Sequence, residues 1–187
     1  MSEAHHRKKQ PEAVRQQLLE VAARLSRESG LGNITLDAVS RAAGVSKGGL
    51  LHHFPNKLSL LDGLFDDLVG RLDRAIEAEM LNDPVPHGRF TRAYLRVCFN
   101  PAGGIEDDED WKALTIAQLA EPHLRERWRQ WVEDRNAEHV GTDSSVDAEL
   151  VRFAVDGLWL ADLLSSHSMD PERRHALAER LVQLSRS

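Results

Sequence analysis

The sequence is poor in cysteine and in long apolar runs, and each shortage excludes a class of protein. With Cys98 as its single cysteine, the chain cannot build the intramolecular disulfide framework of small secreted domains. No apolar run approaches the roughly 20 residues that a bilayer-spanning helix needs. The polar and basic N-terminal segment lacks the apolar middle of a signal peptide. These shortages predict a cytoplasmic protein that is not inserted in a membrane.

The sequence also lacks the motifs of common enzymes and of metal sites. It contains no G-x-S-x-G, P-loop or dinucleotide-binding fingerprint. The carboxylates of residues 107–110 stand in a predicted loop without a histidine at ligand spacing, which favours a solvated surface. His52 and His53 are adjacent, so on a helix they point about 100° apart and cannot share a metal ion. We therefore expect no catalytic residue, no metal and no cofactor.

Charge is distributed unevenly along the chain. Residues 1–60 contain nine Lys or Arg and five acidic residues, a net charge of +4, whereas the remainder has a net charge of −10. The first third of the chain is therefore suited to face a polyanion such as DNA, while the rest repels one.

Apolar residues recur at intervals of three and four along most of the chain, which is typical of helices, and no segment alternates like a strand. We predict an all-α protein of about nine helices, with Pro11 in the first turn of the first helix and a mobile tail before it. The predicted helices are Pro11–Ser29, Leu36–Ala43, Lys47–His53, Lys57–Met80, Gly88–Phe99, Asp110–Ala120, Pro122–His139, Val146–His167 and Pro171–Leu184.

A three-residue turn, Gly44-Val45-Ser46, joins the second and third predicted helices. Glycine suits the corner because it adopts a left-handed conformation cheaply. Thr35 and Ser46 are predicted N-caps of the two helices, because their hydroxyls can accept from free backbone N–H groups. This arrangement is typical of a DNA-binding unit that places its second helix in the major groove. By spacing alone, a plain helical hairpin remains an alternative.

The third predicted helix has an anchoring side and an outer side. Leu50 and Phe54 are four residues apart and can hold it to a core. Two glycines within so short a helix cost about 1 kcal/mol each relative to alanine, and their missing side chains would let the backbone approach DNA. The residues predicted to remain on the outer surface are Lys47, Gly48, Gly49, His52 and His53.

The segment TLDAVSRAAGVSKGGLLHHFPNK, residues 35–57, resembles the TetR family of bacterial repressors, and the preceding helix fits the same pattern. The resemblance covers about residues 11–62. It implies a homodimer in which residues 1–56 bind a palindromic operator through the second and third helices. It also implies that residues 57–187 form a ligand-binding and dimerisation domain, in which a small-molecule effector usually releases the DNA.

The resemblance implies a role for particular residues. Thr35, Ser46 and Lys57 match phosphate-binding positions, and Lys47 matches a position that often reaches a base edge or a phosphate. The backbone-contacting positions are occupied by His52 and His53. Two residues depart from the family pattern: Gly49 stands where many members have Thr, and Leu51 where many have Tyr. Base reading is therefore expected to depend on fewer side chains and more on DNA shape.

The C-terminal two-thirds are less informative about chemistry. Their tryptophans have two interpretations, core packing or the lining of an effector pocket. Asp156 lies in an otherwise apolar helix, where it could receive a ligand, cap a neighbouring helix or pair with an arginine. The predicted effector-binding residues are Cys98, Phe99, Trp111, Asp156 and Trp159.

The last two predicted helices, Val146–His167 and Pro171–Leu184, are expected to form the dimer interface. The first of them is apolar on too wide an arc to face water, through Val151, Ala154, Val155, Leu158 and Leu163. Together these patterns predict a transcriptional repressor that an effector releases from DNA. The alternative is an all-helical interaction module or ligand-binding protein that does not bind DNA.

Overall fold

The computed structural model describes residues 3–99 and 108–186, with all their side chains except those of residues 3–10, 31 and 108. Over these ranges the protein is all-α, as predicted, and no strand is present in them. A 3-10 helix spans Leu31–Asn33. The α-helices are α1 (Glu3–Ser29), α2 (Leu36–Ala43), α3 (Lys47–His53), α4 (Lys57–Asn82), α5 (Arg89–Cys98), α6 (Asp108–Ala120), α7 (Pro122–Glu138), α8 (Val140–Asp143), α9 (Val146–Leu163) and α10 (Pro171–Leu184).

The helices differ from the prediction in three places, apart from shifts of one or two residues at other helix ends. The first helix begins at Glu3 and contains Pro11 in its interior, because strong helix formers precede the proline and its φ is compatible with a helix. The eighth helix of the prediction ends at Leu163 instead of His167, where Ser165 adopts φ 50° and Ser166 bonds back to Ala161 O. The predicted connection after α7 contains the additional short helix α8.

The acidic segment before Trp111 also differs from its prediction as a solvated loop. Asp107 lies outside the described residues, but Glu109 and Asp110 belong to α6. Asp110 is buried and forms an ion pair with Arg27 of α1. This carboxylate is therefore part of a structural contact. Among the residues that the structure describes, no group of acids, histidines or cysteine has the arrangement of a metal site.

The chain divides into two compact units, and the first comprises Met1–Val69 and Glu109–Arg125. Its core is built from apolar side chains of α1 to α4 and of α6, including Leu18, Leu19, Val39, Leu50, Phe54, Leu60 and Leu114. The predicted caps of α2 and α3 are confirmed: Thr35 Oγ1 accepts from Ala38 N, and Ser46 Oγ accepts from Gly49 N, both at 3.1 Å. The hydroxyls thus begin the two helices where the sequence indicated.

The second unit comprises Gly70–Asp108 and Glu126–Ser187. Here α5 packs against α8, α9 and α10. The approach of α10 to the start of α5 requires a glycine, since a Cβ at Gly88 would stand 1.9 Å from Ser185 O. Helix α4 contributes to both units, and the predicted division of the chain at residue 57 stays a prediction. No helix within residues 3–99 and 108–186 has the length and apolar composition of a membrane span.

A buried arginine organises one end of the second unit. Arg92 is inaccessible to solvent, and its Nε donates to Asp83 Oδ2 at 2.7 Å. Its terminal nitrogens donate to the carbonyls of Val85 and His87, each at 2.7 Å. The Arg92 guanidinium holds the pKa of Asp83 at about 2, below its usual 3.8. The buried charge is thus paired and hydrogen-bonded, and it ties the segment before α5 to that helix.

Candidate nucleic-acid interface

Helix α3 is anchored to its neighbours by two side chains. Leu50 is fully buried, and Phe54, directly after the helix, is 2% exposed. The Phe54 ring lies under the Arg15 guanidinium of α1, at 5.3 Å from the ring centroid. On its other side α4 approaches at Gly63, where an added Cβ would stand 2.8 Å from Phe54 Cε1. The end of α3 is therefore held between α1 and α4.

The turn between α2 and α3 has the geometry that the sequence predicted. Gly44 adopts φ 65° and its N–H donates to Arg41 O. The N–H of Val45 donates to Ser40 O at 3.0 Å. From α1, the Gln17 side chain donates to Ala43 O at 2.9 Å and holds the end of α2. These bonds restrain the turn and therefore the angle at which α3 leaves it.

The outer side of α3 is mostly as predicted. Lys47, Gly48 and His52 are exposed, and His53 is half-buried with its ring 5.3 Å from that of His52. Gly49 differs from the expectation of an outer-surface position. It faces the turn, since a Cβ on it would stand 3.1 Å from Val45 Cγ1 and 3.2 Å from Ser46 Oγ. Its missing side chain therefore relieves crowding within the protein.

The two lysines of this surface have partners within the protein. Lys47 Nζ forms an exposed ion pair with Asp37 Oδ1 of α2 at 3.1 Å. Lys57 Nζ donates to Gly32 O at 2.7 Å. Lys57 also opens α4, whose start is capped by Asn56, since the Asn56 side-chain oxygen accepts from Ser59 N at 2.8 Å. The cap was missed from sequence, although Asn followed three positions later by Ser is a recognisable start signal.

Two short helices joined by a three-residue turn, the second anchored by buried side chains and exposed on its outer side, define a helix-turn-helix DNA-binding protein. Residues 18–64 match the family model described as bacterial regulatory proteins, tetR family. Residues 88–186 match the model described as tetracyclin repressor-like, C-terminal domain. The chain belongs to the TetR family of bacterial transcriptional regulators, as the sequence resemblance predicted.

Two relatives and one solved structure illustrate this membership. The chain is 29% identical over 158 residues to the HTH-type transcriptional repressor KstR2 of Rhodococcus jostii, covering 79% of this chain and 77% of the relative. It is 27% identical to the HTH-type transcriptional regulator BetI of Pectobacterium atrosepticum, covering 84% and 86% of the two chains. The multidrug binding protein EbrR, solved with malachite green, has the same fold, with a TM-score of 0.68, 22% identity, and 89% of this chain and 96% of the EbrR chain covered.

The residues predicted to bind an effector have diverse surroundings. Trp111 is buried in the first unit, whereas the other four lie in the second. Phe99 is buried beneath the Arg174 guanidinium, at 4.5 Å from its ring centroid. Trp159 is half-buried. These positions do not test the predicted effector set, which stays a prediction.

Asp156 and Cys98 meet at a tyrosine that the sequence analysis did not select. The hydroxyl of Tyr94, the only tyrosine of the chain, donates to Asp156 Oδ1 at 2.6 Å. Burial raises the pKa of Tyr94 well above its usual value, and the nearby Cys98 and Asp156 add to this effect. Burial also raises the pKa of the Cys98 thiol, with a further contribution from the Asp156 charge. Phenol and thiol are thus neutral at physiological pH.

Burial raises the pKa of the Asp156 carboxylate, although the residue as a whole is exposed to solvent. The sequence analysis did not anticipate this tyrosine partner, and the charge of Arg152 also acts on the carboxylate. The carboxylate borders a small cavity of about 80 Å³ between α5, α7 and α9. Tyr94, Trp131 and Phe153 contribute aromatic walls to this cavity. Asp162, the second carboxylate of α9, forms an ion pair with Arg174 of α10.

Proposed function

We propose that the protein is a repressor that binds a palindromic operator as a homodimer and leaves it when a small molecule binds the second unit. The observation that carries this proposal is the anchored α3 with its exposed outer side, within a chain of the TetR family. The contact surface comprises Thr35, Ser46, Lys47, Gly48, Gly49, His52, His53 and Lys57. Gly49 contributes through its backbone, because its Cα faces the turn.

Specific operator binding is tested by a mobility-shift assay on the DNA immediately upstream of the gene. We expect a retarded band that unlabelled upstream DNA removes at a much lower concentration than DNA of random sequence. Equal competition by the two DNAs would show that the protein binds DNA without reading an operator, since phosphate contacts alone carry no sequence information.

The proposed dimer interface is formed by α9 and α10. One side of α9 carries large apolar residues that are exposed in the described chain: Val146, Leu150, Phe153, Leu160 and, at its C-terminal cap, Leu164. By contrast, Val151 and Val155, which supported the interface prediction from sequence, are buried within the protomer. An exposed apolar row of this length is typical of a surface that a second copy covers.

The proposed effector region within the second unit includes Asp156 and Cys98, together with Tyr94. A polar ligand group that displaces the Tyr94 hydroxyl could bond to the Asp156 carboxylate, while the aromatic walls receive its apolar part. EbrR, which has the same fold, was solved with malachite green. This cationic dye is therefore a suitable first probe.

The proposed route from effector to DNA is α4, which has residues 57–69 in the first unit and residues 70–82 in the second. Two recognition helices must stand about 34–36 Å apart to enter successive major grooves. A ligand that favours another spacing lowers operator affinity, provided that it binds that conformation better.

The effector proposal is tested by operator release. Wild-type protein, Asp156→Ala and Trp159→Ala are compared in a mobility-shift titration with malachite green. We expect release from the wild type and weaker release from both variants, with operator affinity in the absence of dye unchanged. Equal release from all three proteins would remove both residues from the effector site.

A further inference from the structure

The segment that contains α2 and α3 has one acidic residue on a surface that otherwise suits a polyanion. Between Glu28 and Asp62 the single acid is Asp37, against three Lys or Arg and two His. A carboxylate repels DNA phosphates, so at this position it lowers the affinity for DNA of every sequence unless a partner offsets its charge. The partner in the structure is Lys47, a residue of the proposed contact surface.

The Asp37–Lys47 ion pair links the first turn of α2 to the first residue of α3. Asp37 Oδ1 and Lys47 Nζ are 3.1 Å apart. On the α2 side, the main-chain oxygen of Asp37 accepts from Ser40 Oγ at 3.1 Å and from Arg41 Nε at 3.2 Å. On the α3 side, Ser46 caps the helix directly before Lys47. The backbone of both partners is therefore held in place, and only their side chains have to move for the pair to open.

The pair itself adds little to the stability of the fold. The side chains of Lys47 and Asp37 are 66% and 61% exposed, and ion pairs so open to water are weak. Asp37 also stands in the first turn of α2, where a negative charge interacts favourably with the helix dipole. That interaction depends on α2 alone and involves no lysine of α3, so an experiment can separate it from a role at the DNA.

We propose that Asp37 determines sequence specificity by positioning Lys47, an inference that rests on the proposed operator binding. On DNA of random sequence, Lys47 reaches a phosphate only by leaving Asp37, whose charge then faces the DNA without a partner. At the operator, the lysine ammonium has three N–H donors and can bond to guanine O6 or N7 while it stays beside Asp37. The carboxylate therefore penalises phosphate binding by Lys47 more than base binding.

The test is fluorescence anisotropy of the full-length protein with upstream operator DNA and with random DNA. Asp37→Asn should tighten binding to random DNA by about fivefold and binding to operator by less, so the ratio of operator to random-DNA affinity falls at least about threefold, within the range of an exposed ion pair. For random DNA the slope of log affinity against log salt concentration should become steeper by about one per subunit, since the released Lys47 neutralises a phosphate. Asp37→Glu keeps the charge and should keep the wild-type ratio.

A double-mutant cycle shows whether the effect passes through Lys47. In the Lys47→Ala background, Asp37→Asn should leave the ratio of operator to random-DNA affinity unchanged, because no lysine remains to be positioned. The proposal is overturned if Asp37→Asn leaves the ratio unchanged while Lys47 is present, or if it changes the ratio equally with and without Lys47. Loss of the ratio in Asp37→Glu as well would also count against it.

Glu77→Gln is the matched control, because Glu77 is an exposed acid of α4 in the second unit and the substitution alters the net charge equally. It should leave the ratio at the wild-type value. Should Asp37→Asn fail to fold, Asp37→Ser takes its place in the same comparison. Wild-type protein that binds operator and random DNA equally would overturn the repressor proposal together with this one, whereas a preference that survives Asp37→Asn overturns only the role of Asp37.

Discussion

At the scale of single residues, the lysines of the proposed DNA-binding surface are held by weak contacts that DNA can replace. The Lys47–Asp37 ion pair is exposed on both sides. Exposed pairs of this kind contribute only about 0–1 kcal/mol. Lys57 donates to a single carbonyl, that of Gly32. DNA phosphates therefore have no strong internal partner to displace at either ammonium group.

Lys57→Ala should weaken binding to all DNA sequences about equally. A lysine at the start of α4 acts as a point charge for phosphate, and phosphate contacts carry no base information. The slope of log affinity against log salt concentration should fall by about one, because one fewer counterion is released. Fluorescence anisotropy with operator and random DNA over a series of salt concentrations measures both effects.

Lys47→Ala serves as the comparison for that experiment, because Lys47 lies on the outer side of α3 itself. We expect it to reduce the ratio of operator to random-DNA affinity, whereas Lys57→Ala leaves this ratio unchanged. A loss of affinity in Lys57→Ala that is confined to one operator variant would contradict the phosphate assignment.

The buried pair of Asp83 and Arg92 predicts a pH dependence of stability. The folded protein holds the pKa of Asp83 at about 2, below the usual 3.8, mainly through the hydrogen bond from Arg92. The resulting stabilisation, about 2 kcal/mol, is present above pH 4 and is lost as pH falls from about 4 to 2. The free energies of unfolding of wild type and Asp83→Asn, measured in urea, should therefore differ less at pH 2 than at pH 6, by about this amount. A free-energy difference that stays constant with pH would contradict this role.

At the scale of elements, α3 contains one glycine that has close neighbours in the turn and one that has none. Gly49 contacts the turn, whereas a Cβ at Gly48 would meet no atom within 4 Å. Gly48 also lies within the helix without a positive φ, so its backbone accepts any residue. The fold of the protein without DNA therefore does not require glycine at position 48, which favours a role for Gly48 at the DNA.

Gly48→Ala should stabilise the fold and weaken operator binding. Alanine in a helix interior is favoured over glycine by about 1 kcal/mol, so the melting temperature should rise. The added methyl group should keep the α3 backbone from approaching DNA, and we expect at least a severalfold loss of operator affinity in a mobility-shift titration. Unchanged affinity would show that Gly48 is not at the DNA.

Gly44→Ala provides the opposite control within the same motif. Its Cβ would also meet no atom within 4 Å, but Gly44 has φ 65°. An L-residue in this left-handed conformation costs about 1–2 kcal/mol. The variant should therefore unfold at a lower temperature, while a comparable loss of stability from Gly48→Ala would contradict the distinction between the two glycines.

At the scale of the whole molecule, the proposed dimer interface depends on the apolar side of α9. Leu150 and Phe153 are 53% and 65% exposed in the single chain. Gly157, on the same helix, has no atom within 4 Å of an added Cβ, so another backbone can approach closely there. Together these features favour helix-to-helix packing with a second copy.

Leu150→Asp should convert the dimer into a monomer of 21.0 kDa. An aspartate at this position would be buried without a partner in the dimer but solvated in the monomer, so it selects against association. Light scattering at micromolar concentration measures the mass. Leu81→Asp is the control, because Leu81 is a more exposed leucine on α4 and the variant should stay dimeric. A wild-type monomer, or a dimeric Leu150→Asp, would contradict the proposed interface.

The features that could be predicted from the sequence are those that depend on neighbouring residues. The N-caps Thr35 and Ser46, the left-handed Gly44 and the bounds of α2 and α3 are all as predicted. Each depends on hydrogen bonds or backbone conformations that span at most about one helical turn. The same locality explains the family resemblance, since the helix-turn-helix is one continuous segment.

The side chains that meet across helices could not be predicted from the sequence. Tyr94 and Asp156 are 62 residues apart, and the Arg174 side chain covers Phe99. Helical periodicity indicates that a residue faces a neighbouring helix, but the partner depends on the crossing angle and on the axial offset of the two helices. For this reason the sequence could select Asp156 but not its tyrosine. Packing of the whole unit sets this contact.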